Sequence, residues 1–116
     1  MIFTDGGRNA MLHGIAAKLN QGANSTLAIY VGAVLAAEIT LTNPVDLSIV
    51  GTVMSFRVPP QVLAVASGIP TAAKLLDAGG SVIAELDVPA EVTLDKDKIY
   101  MGGYVGLMSM TMRLTA

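Results

Sequence analysis

From residue 26 onward, apolar side chains recur at every second position in short segments that end at turn-forming residues. In the clearest segment, Leu35, Ala37, Ile39 and Leu41 alternate mainly with polar residues. A period of two is that of a β-strand with one buried face. Because these segments are short and no helical pattern follows them, the sequence predicts a mainly β protein, a small antiparallel β-sandwich or barrel of jelly-roll-like form.

Turn-forming residues divide this part of the chain into candidate strands. Pro59-Pro60 ends one of them, because proline cannot donate a hydrogen bond to a neighbouring strand. The strongest hairpin signal is Asp77-Ala78-Gly79-Gly80, since glycine allows the positive φ angles of a tight turn. The segment 46–51 is predicted as a loop or a poor strand, and the last strand as long and continuous from Tyr104 to Leu114. The predicted strands are 27–31, 35–42, 52–58, 61–66, 73–76, 81–86, 91–94 and 104–114.

The first twenty residues are predicted to form a short helix. Thr4 or Asp5 can accept backbone N–H bonds at its start, and an acidic residue there suits the positive end of the helix dipole. The apolar residues that recur at helical spacing are Met11, Leu12, Ile15, Ala16 and Leu19. We therefore expect a single domain over 1–116, with the helix and its turn in 1–22 and the β-structure in 26–116.

The composition indicates that part of the surface of this domain is covered by other protein. Charged residues make up only 14% of the 116 residues and apolar residues 53%, with a mean hydropathy of +0.61. An ordinary domain has about 25% charged residues, and a chain this short cannot bury so much apolar surface in one core. An exposed apolar surface of that kind marks an interface, so the composition predicts self-association.

Two other kinds of partner fit the sequence poorly. The longest apolar-plus-glycine run, Leu27 to Ala37, has eleven residues, whereas a membrane-spanning helix needs about 20. An early basic stretch followed by an apolar run, the pattern that indicates a secretory signal, is not found in the sequence. A formal net charge of −2 is not typical of a protein that binds phosphate backbones. We therefore expect a soluble protein packed against other protein, with neither nucleic acid nor membrane as a partner.

Few residues offer catalytic or metal-binding chemistry. The chain has no cysteine and one histidine, His13, and no recognisable motif supplies that imidazole with a nucleophile or an orienting carboxylate. Asp95 and Asp97 stand two apart like calcium ligands, but lysines alternate with them and the glycine and terminal Glu of an EF-hand loop are missing. We interpret His13 as structural and residues 95–98 as a solvated turn, and we expect a non-enzyme without a cofactor or a metal.

The last predicted strand carries a methionine stripe. At the strand period, Met108, Met110 and Met112 point to one face, while Val105 and Leu107 point to the other. Methionine fills irregular gaps in cores, and it also forms adaptable binding surfaces. Both interpretations, core and subunit interface, therefore stay open for these five candidate interface residues.

Two tyrosines form a candidate ligand surface. Tyr100 and Tyr104 flank the pair Gly102-Gly103, and a glycine pair favours a tight entry into the strand that follows. Aromatic side chains with one polar end are common where proteins bind ligands and partners. A carbohydrate or receptor would bind here if the domain recognises one.

Five short segments follow one another along the chain: Arg8-Asn9-Ala10, Thr26–Gly32, Thr71-Ala72, Leu76–Gly80 and Gly102-Gly103. In that order they resemble a poorly characterised family of small structural proteins of tailed bacteriophages and prophages. That family has an N-terminal helix, a Thr-Leu-x-Ile-Tyr-x-Gly strand, a Leu-Asp-x-Gly-Gly hairpin and a closing strand after a glycine pair. The chain departs from the family in Pro59-Pro60 and in its methionine-rich last strand.

The resemblance implies a non-enzymatic virion component, assembled in the cytoplasm of the bacterial host. The leading expectation is a capsid decoration or cement protein that binds the shell as a homo-oligomer, either a trimer or another ring. Its partners would be copies of itself and a major capsid or tail protein. The alternative is a tail or tail-tip component whose β-sandwich binds a receptor or a carbohydrate.

Overall fold

The structure, a computed structural model, describes residues 4–21, 24–88 and 90–113. These residues form one helix followed by ten strands. The helix is α1 (Asp5–Leu19), and the strands are β1 (Thr26–Val31), β2 (Val34–Thr40), β3 (Asp46–Val50), β4 (Val53–Phe56), β5 (Val62–Leu63), β6 (Ala72–Leu76), β7 (Val82–Asp87), β8 (Val92–Leu94), β9 (Tyr104–Val105) and β10 (Leu107–Arg113). Leu114, the predicted end of the last strand, lies outside the described residues.

The strands form two four-stranded sheets and a two-stranded ribbon, and the pairings are antiparallel. The first sheet has the order β2-β1-β6-β7, the second β3-β4-β10-β8, and the ribbon joins β5 to β9. One core cluster takes fully buried side chains from both sheets, among them Leu27, Ile29 and Leu75 from the first and Met54 and Val92 from the second. The predicted mainly β fold with one N-terminal helix is confirmed.

Helix α1 begins where the sequence predicts. The Thr4 hydroxyl accepts a hydrogen bond from the backbone N–H of Gly7 at 3.1 Å, which satisfies one of the N–H groups that a first helical turn leaves without a partner. The buried side chains of the helix are Leu12, Ala16 and Leu19, and the helix contacts β3 and β4. The packed face is narrower than the predicted apolar stripe, because Met11 is exposed.

The side chain of Asn20 joins the end of α1 to the start of β3. Its Nδ2 donates to Asp46 Oδ1 at 3.0 Å, and its Oδ1 accepts from the backbone N–H of Val45 at 2.8 Å. The segment 46–51, predicted as a loop or a poor strand, forms β3 and pairs with β4. The alternation is weak there because β3 is an edge strand on which Leu47 and Val50 are exposed.

The last predicted strand is interrupted at Gly106, so the prediction of one continuous strand is wrong. Gly106 is buried, and its backbone N–H donates to Asp95 Oδ1 at 3.0 Å. A β-carbon at this position would lie 2.9 Å from Gln61 Cγ and 3.1 Å from Asp95 Oδ2. Glycine therefore allows the close approach, and the chain passes here from the ribbon strand β9 to the sheet strand β10.

A β-bulge at the start of β10 changes which side chains face the core. Leu107 pairs with Leu94 and Ser109 pairs with Thr93, so two residue steps on β10 oppose one step on β8. Met108 is the extra residue between these pairs. A bulge of this kind interrupts the period of two, and side chains before and after it no longer follow one alternation.

The predicted common face of the three methionines is therefore wrong. Met108 is 60% exposed, whereas Met110 is 1% exposed and Met112 is also buried. Leu107 takes the place of Met108 on the buried face, and Val105 of β9 is buried as well. Four of the five candidate interface residues thus pack in the core of their own chain, which leaves Met108 as the one at the surface.

The hairpin between β6 and β7 turns at Asp77-Ala78-Gly79-Gly80, as predicted, and the carboxylate of Asp77 is buried there. Asp77 Oδ1 accepts from the backbone N–H groups of Gly79 at 3.0 Å and Ser81 at 2.9 Å, and Lys18 Nζ of α1 lies 3.6 Å from Asp77 Oδ2. The Ser81 amide is the largest influence that lowers the pKa of Asp77. Burial opposes this lowering of the pKa, while the charge of Lys18 and the Gly79 amide add to it.

Asp77→Ala is expected to destabilise the domain more than Asp77→Asn, because an asparagine oxygen can still accept from Gly79 and Ser81. A carboxyl whose pKa is lowered by folding stabilises the fold above its unfolded-state pKa of about 3.9. That contribution is lost as the pH falls through the lower folded-state pKa. Thermal unfolding from about pH 7 to about pH 2 measures it for the wild type and both variants. If acidification lowered the unfolding temperature of the wild type and of Asp77→Asn by the same amount, this role of Asp77 would be contradicted.

Candidate interaction surface

An exposed apolar surface forms on the ribbon of β5 and β9. Leu63 pairs with Tyr104, and residues directly opposite each other in an antiparallel pair project from the same face. Both side chains are more than half exposed, whereas their neighbours Ala64 and Val105 are buried. The ribbon therefore presents one face to the core and the other to solvent.

A β-turn from Tyr100 to Gly103 extends this surface. The backbone N–H of Gly103 donates to the carbonyl of Tyr100 at 2.9 Å, and Gly102 has a φ of 82°, as the third residue of a type II turn requires. Met101 lies at the tip, and its side chain and that of Tyr100 are more than half exposed. Of the two predicted ligand residues, Tyr100 thus begins this turn and Tyr104 directly follows it.

Backbone hydrogen bonds attach the ribbon to the rest of the domain. The N–H of Val65 donates to the carbonyl of Ala36 on β2 at 2.7 Å, and Gly68 and Ile99 exchange two bonds of 2.9 and 2.8 Å. Gly68 has a φ of 147°, and a β-carbon there would lie 2.3 Å from Cγ1 of Val31. These contacts join the segment after β5 to β1 and β2, and they join the segments that flank the ribbon to each other.

We define the ribbon face as five apolar side chains, each more than half exposed: Leu63, Val65, Tyr100, Met101 and Tyr104. Residues 96–98 border it. Lys96 Nζ donates to the carbonyl of Tyr104 at 2.8 Å, and Lys98 Nζ lies 5.4 Å from the centre of the Tyr100 ring, within the range of a cation–π contact. The charged turn therefore packs along the edge of the ribbon face.

Asp95 makes structural hydrogen bonds. Its Oδ1 accepts from the Gly106 amide, and its Oδ2 accepts from Gln61 Nε2 at 2.8 Å. Asp97 is exposed. Within residues 4–21, 24–88 and 90–113, no three His, Cys, Asp or Glu side chains come together as a metal site would require. Asp95 therefore joins the end of β8 to the junction of β9 and β10.

His13 is absent from the linings of the two clefts that follow. His13 is exposed on α1. A groove of about 400 Å³ is lined by Asn24, Thr40, Leu41, Thr42, Asn43, Pro60 and Val62. A smaller pocket of about 200 Å³ is lined by Ile69, Pro70, Val88, Thr93, Leu94, Lys96 and Asp97. Apolar, amide and hydroxyl groups dominate both linings, and Lys96 and Asp97 add one opposite-charge pair to the smaller pocket.

Three members of the ribbon face, Leu63, Val65 and Met101, are not singled out by the sequence. The segment 61–66 is predicted as a strand, but Val62 to Ala66 are all apolar. A run of this kind does not indicate which face is buried. The signal in the sequence that could have identified Met101 is the glycine pair directly after it, because a glycine pair indicates that Met101 lies at a turn.

Among the described residues, no helix has both the length and the hydrophobicity needed to cross a membrane. No family model, no curated protein and no solved structure matches this chain.

Proposed function

We propose that this chain is a non-enzymatic structural protein of a bacteriophage particle, and specifically a capsid decoration or cement protein that binds the shell as a homo-oligomer. The observation that carries the proposal is the ribbon face, where five apolar side chains project from one ribbon and its adjoining turn. A surface of this kind marks a site of protein interaction. The resemblance of five sequence segments to small phage structural proteins supports a virion as the setting.

Mass spectrometry of intact particles, purified from a bacterium whose phage or prophage encodes the chain, tests this proposal. A decoration protein is expected in on the order of hundreds of copies per particle, because every symmetry-related position on the shell offers it a site. Absence from particles, with the protein abundant in the cell lysate, would overturn the proposal. A handful of copies would instead favour the tail.

The alternative function, a tail or tail-tip component that binds a receptor or carbohydrate, has one observation in its favour. Tyr100 at the start of the turn and Tyr104 directly after it are both exposed, and an exposed aromatic face can stack on an apolar ligand surface. Tyr104→Ala is expected to abolish any signal that the wild type gives on a glycan array. An array without wild-type binding would contradict the alternative.

A further inference from the structure

We infer that the ribbon face is the surface through which two copies of this chain bind each other about a two-fold axis. The inference rests on the proposed function, since that function requires a homo-oligomer. It adds the surface, and it takes a two-fold pair in place of the trimer or other ring that the resemblance implies. In a two-fold contact the same patch lies on both sides. A second copy is therefore favoured only if the ribbon face is complementary to itself in size, polarity and charge.

The size of the ribbon face fits such a contact. Its five side chains are Leu63, Val65, Tyr100, Met101 and Tyr104, and each is more than half exposed. Side chains of this size present on the order of 100 Å² each, or on the order of 500 Å² together, while a standard interface takes about 800 Å² from each partner. The five side chains of the apolar face thus supply more than half of the area that a standard interface takes from one partner.

The chemistry of the ribbon face is that of an interface centre. Two of its members are tyrosines and one is methionine, residue types that are enriched in protein interfaces, while lysine and acidic residues are depleted there. Tyr104 and Leu63 lie side by side on the two strands. None of the five side chains of the face is charged, and the ammonium group of Lys98 already lies over the Tyr100 ring.

The charges at the border are complementary to a second copy. Asp97 stands between Lys96 and Lys98 in sequence, so the border of the ribbon face carries both signs within three residues. A two-fold axis can set Asp97 of one copy against a lysine of the other, and it repeats that pair on the opposite side. A border of one sign would instead repel a copy of itself.

A charge placed in the ribbon face should separate the copies. In Leu63→Lys, two ammonium groups would enter one two-fold contact, and we expect the dissociation constant of the dimer to rise by about 100-fold. Leu47→Lys is the matched control, since Leu47 is also a leucine on a strand and is 60% exposed, against 54% for Leu63. Sedimentation velocity over a range of concentrations measures both variants, and their unfolding temperatures verify that both are folded.

Introduced cysteines provide a second measurement. The chain has no cysteine, so a single Leu63→Cys or Leu47→Cys substitution can form a disulfide only with another copy. We expect mild oxidation to give a covalent dimer of Leu63→Cys, and little of it with Leu47→Cys. Dilution below the dissociation constant before oxidation should remove the product if it reports a pre-existing dimer.

The outcomes separate the inference from the proposed function. An oligomeric wild type that is unaffected by Leu63→Lys, together with no covalent dimer of Leu63→Cys, would overturn the ribbon-face inference. The proposed function would then stand, with another surface forming the oligomer. A wild type that is monomeric at high micromolar concentration would overturn the inference together with the homo-oligomeric part of the proposed function. The presence and copy number of the chain in particles would still decide independently whether it is a virion protein.

Discussion

Replacement of Met110 by aspartate is expected to prevent this domain from folding. Met110 is 1% exposed and pairs with Val92 of β8 inside the core cluster. Loss of the side-chain packing alone costs about 2–5 kcal/mol, and removing a carboxylate from water adds several kcal/mol more. The sum is comparable with the whole stability of a small domain, about 5–15 kcal/mol. Circular dichroism and the dispersion of an NMR spectrum would report the loss of structure.

The same substitution two positions earlier provides the control. Met108→Asp is expected to change stability by no more than about 0.5 kcal/mol, because exposed positions tolerate such changes, and Met108 is 60% exposed. Met110→Leu keeps the volume and should cost less than about 1.5 kcal/mol. If Met108→Asp proved as damaging as Met110→Asp, the β-bulge between Leu107 and Ser109 would not be the reason that these two methionines differ.

Gly68→Ala is expected to cost about 2–6 kcal/mol from two additive causes. A φ of 147° is one that residues with a β-carbon rarely adopt, which costs about 1–3 kcal/mol. The new β-carbon would lie 2.3 Å from Cγ1 of Val31, and overpacking of this kind costs a further 1–3 kcal/mol, approximately. Because Gly68 and Ile99 exchange both backbone bonds of their bridge, the ribbon would lose this attachment as well. Urea unfolding measures the change.

A double-mutant cycle separates the steric cost from the backbone cost. Val31→Ala removes the atom that the new β-carbon approaches, so the double variant should be more stable than the sum of the single changes by about 1–3 kcal/mol. Gly51→Ala is the control for backbone conformation alone. Gly51 has a φ of 59° with nothing within 4 Å of an added β-carbon, and its cost should be about 1–2 kcal/mol. If Gly68→Ala cost as much stability in the Val31→Ala background as in the wild type, the steric cause would be contradicted.

The features that the sequence predicts well are those decided within a few residues. Thr4 accepts a bond from an amide three residues later, and Asp77 accepts from amides two and four residues later. Side-chain chemistry at that distance acts whatever the rest of the chain does. The start of α1 and the β6–β7 hairpin therefore lie where the patterns indicate.

The candidate surface could be predicted only in part. Tyr100 and Tyr104 stand out because aromatic residues are rare in this chain, at 4%, and because a glycine pair lies between them. Leu63 and Val65 do not stand out, since their exposure depends on the pairing of β5 with β9 and on the contact of Val65 with Ala36 of β2. No short-range pattern contains that information.

The sequence by itself determined that this protein is a β-structure with a capped N-terminal helix and more apolar surface than its charged residues balance. Only the tertiary structure decided which apolar residues lie inside. The close packing of Gly106 against Asp95 and Gln61 separates β9 from β10, and the bulge after Leu107 then turns Met108 outward. An alternating pattern assigns faces only along an unbroken ladder of hydrogen bonds, and it is contact between distant segments that breaks the ladder here.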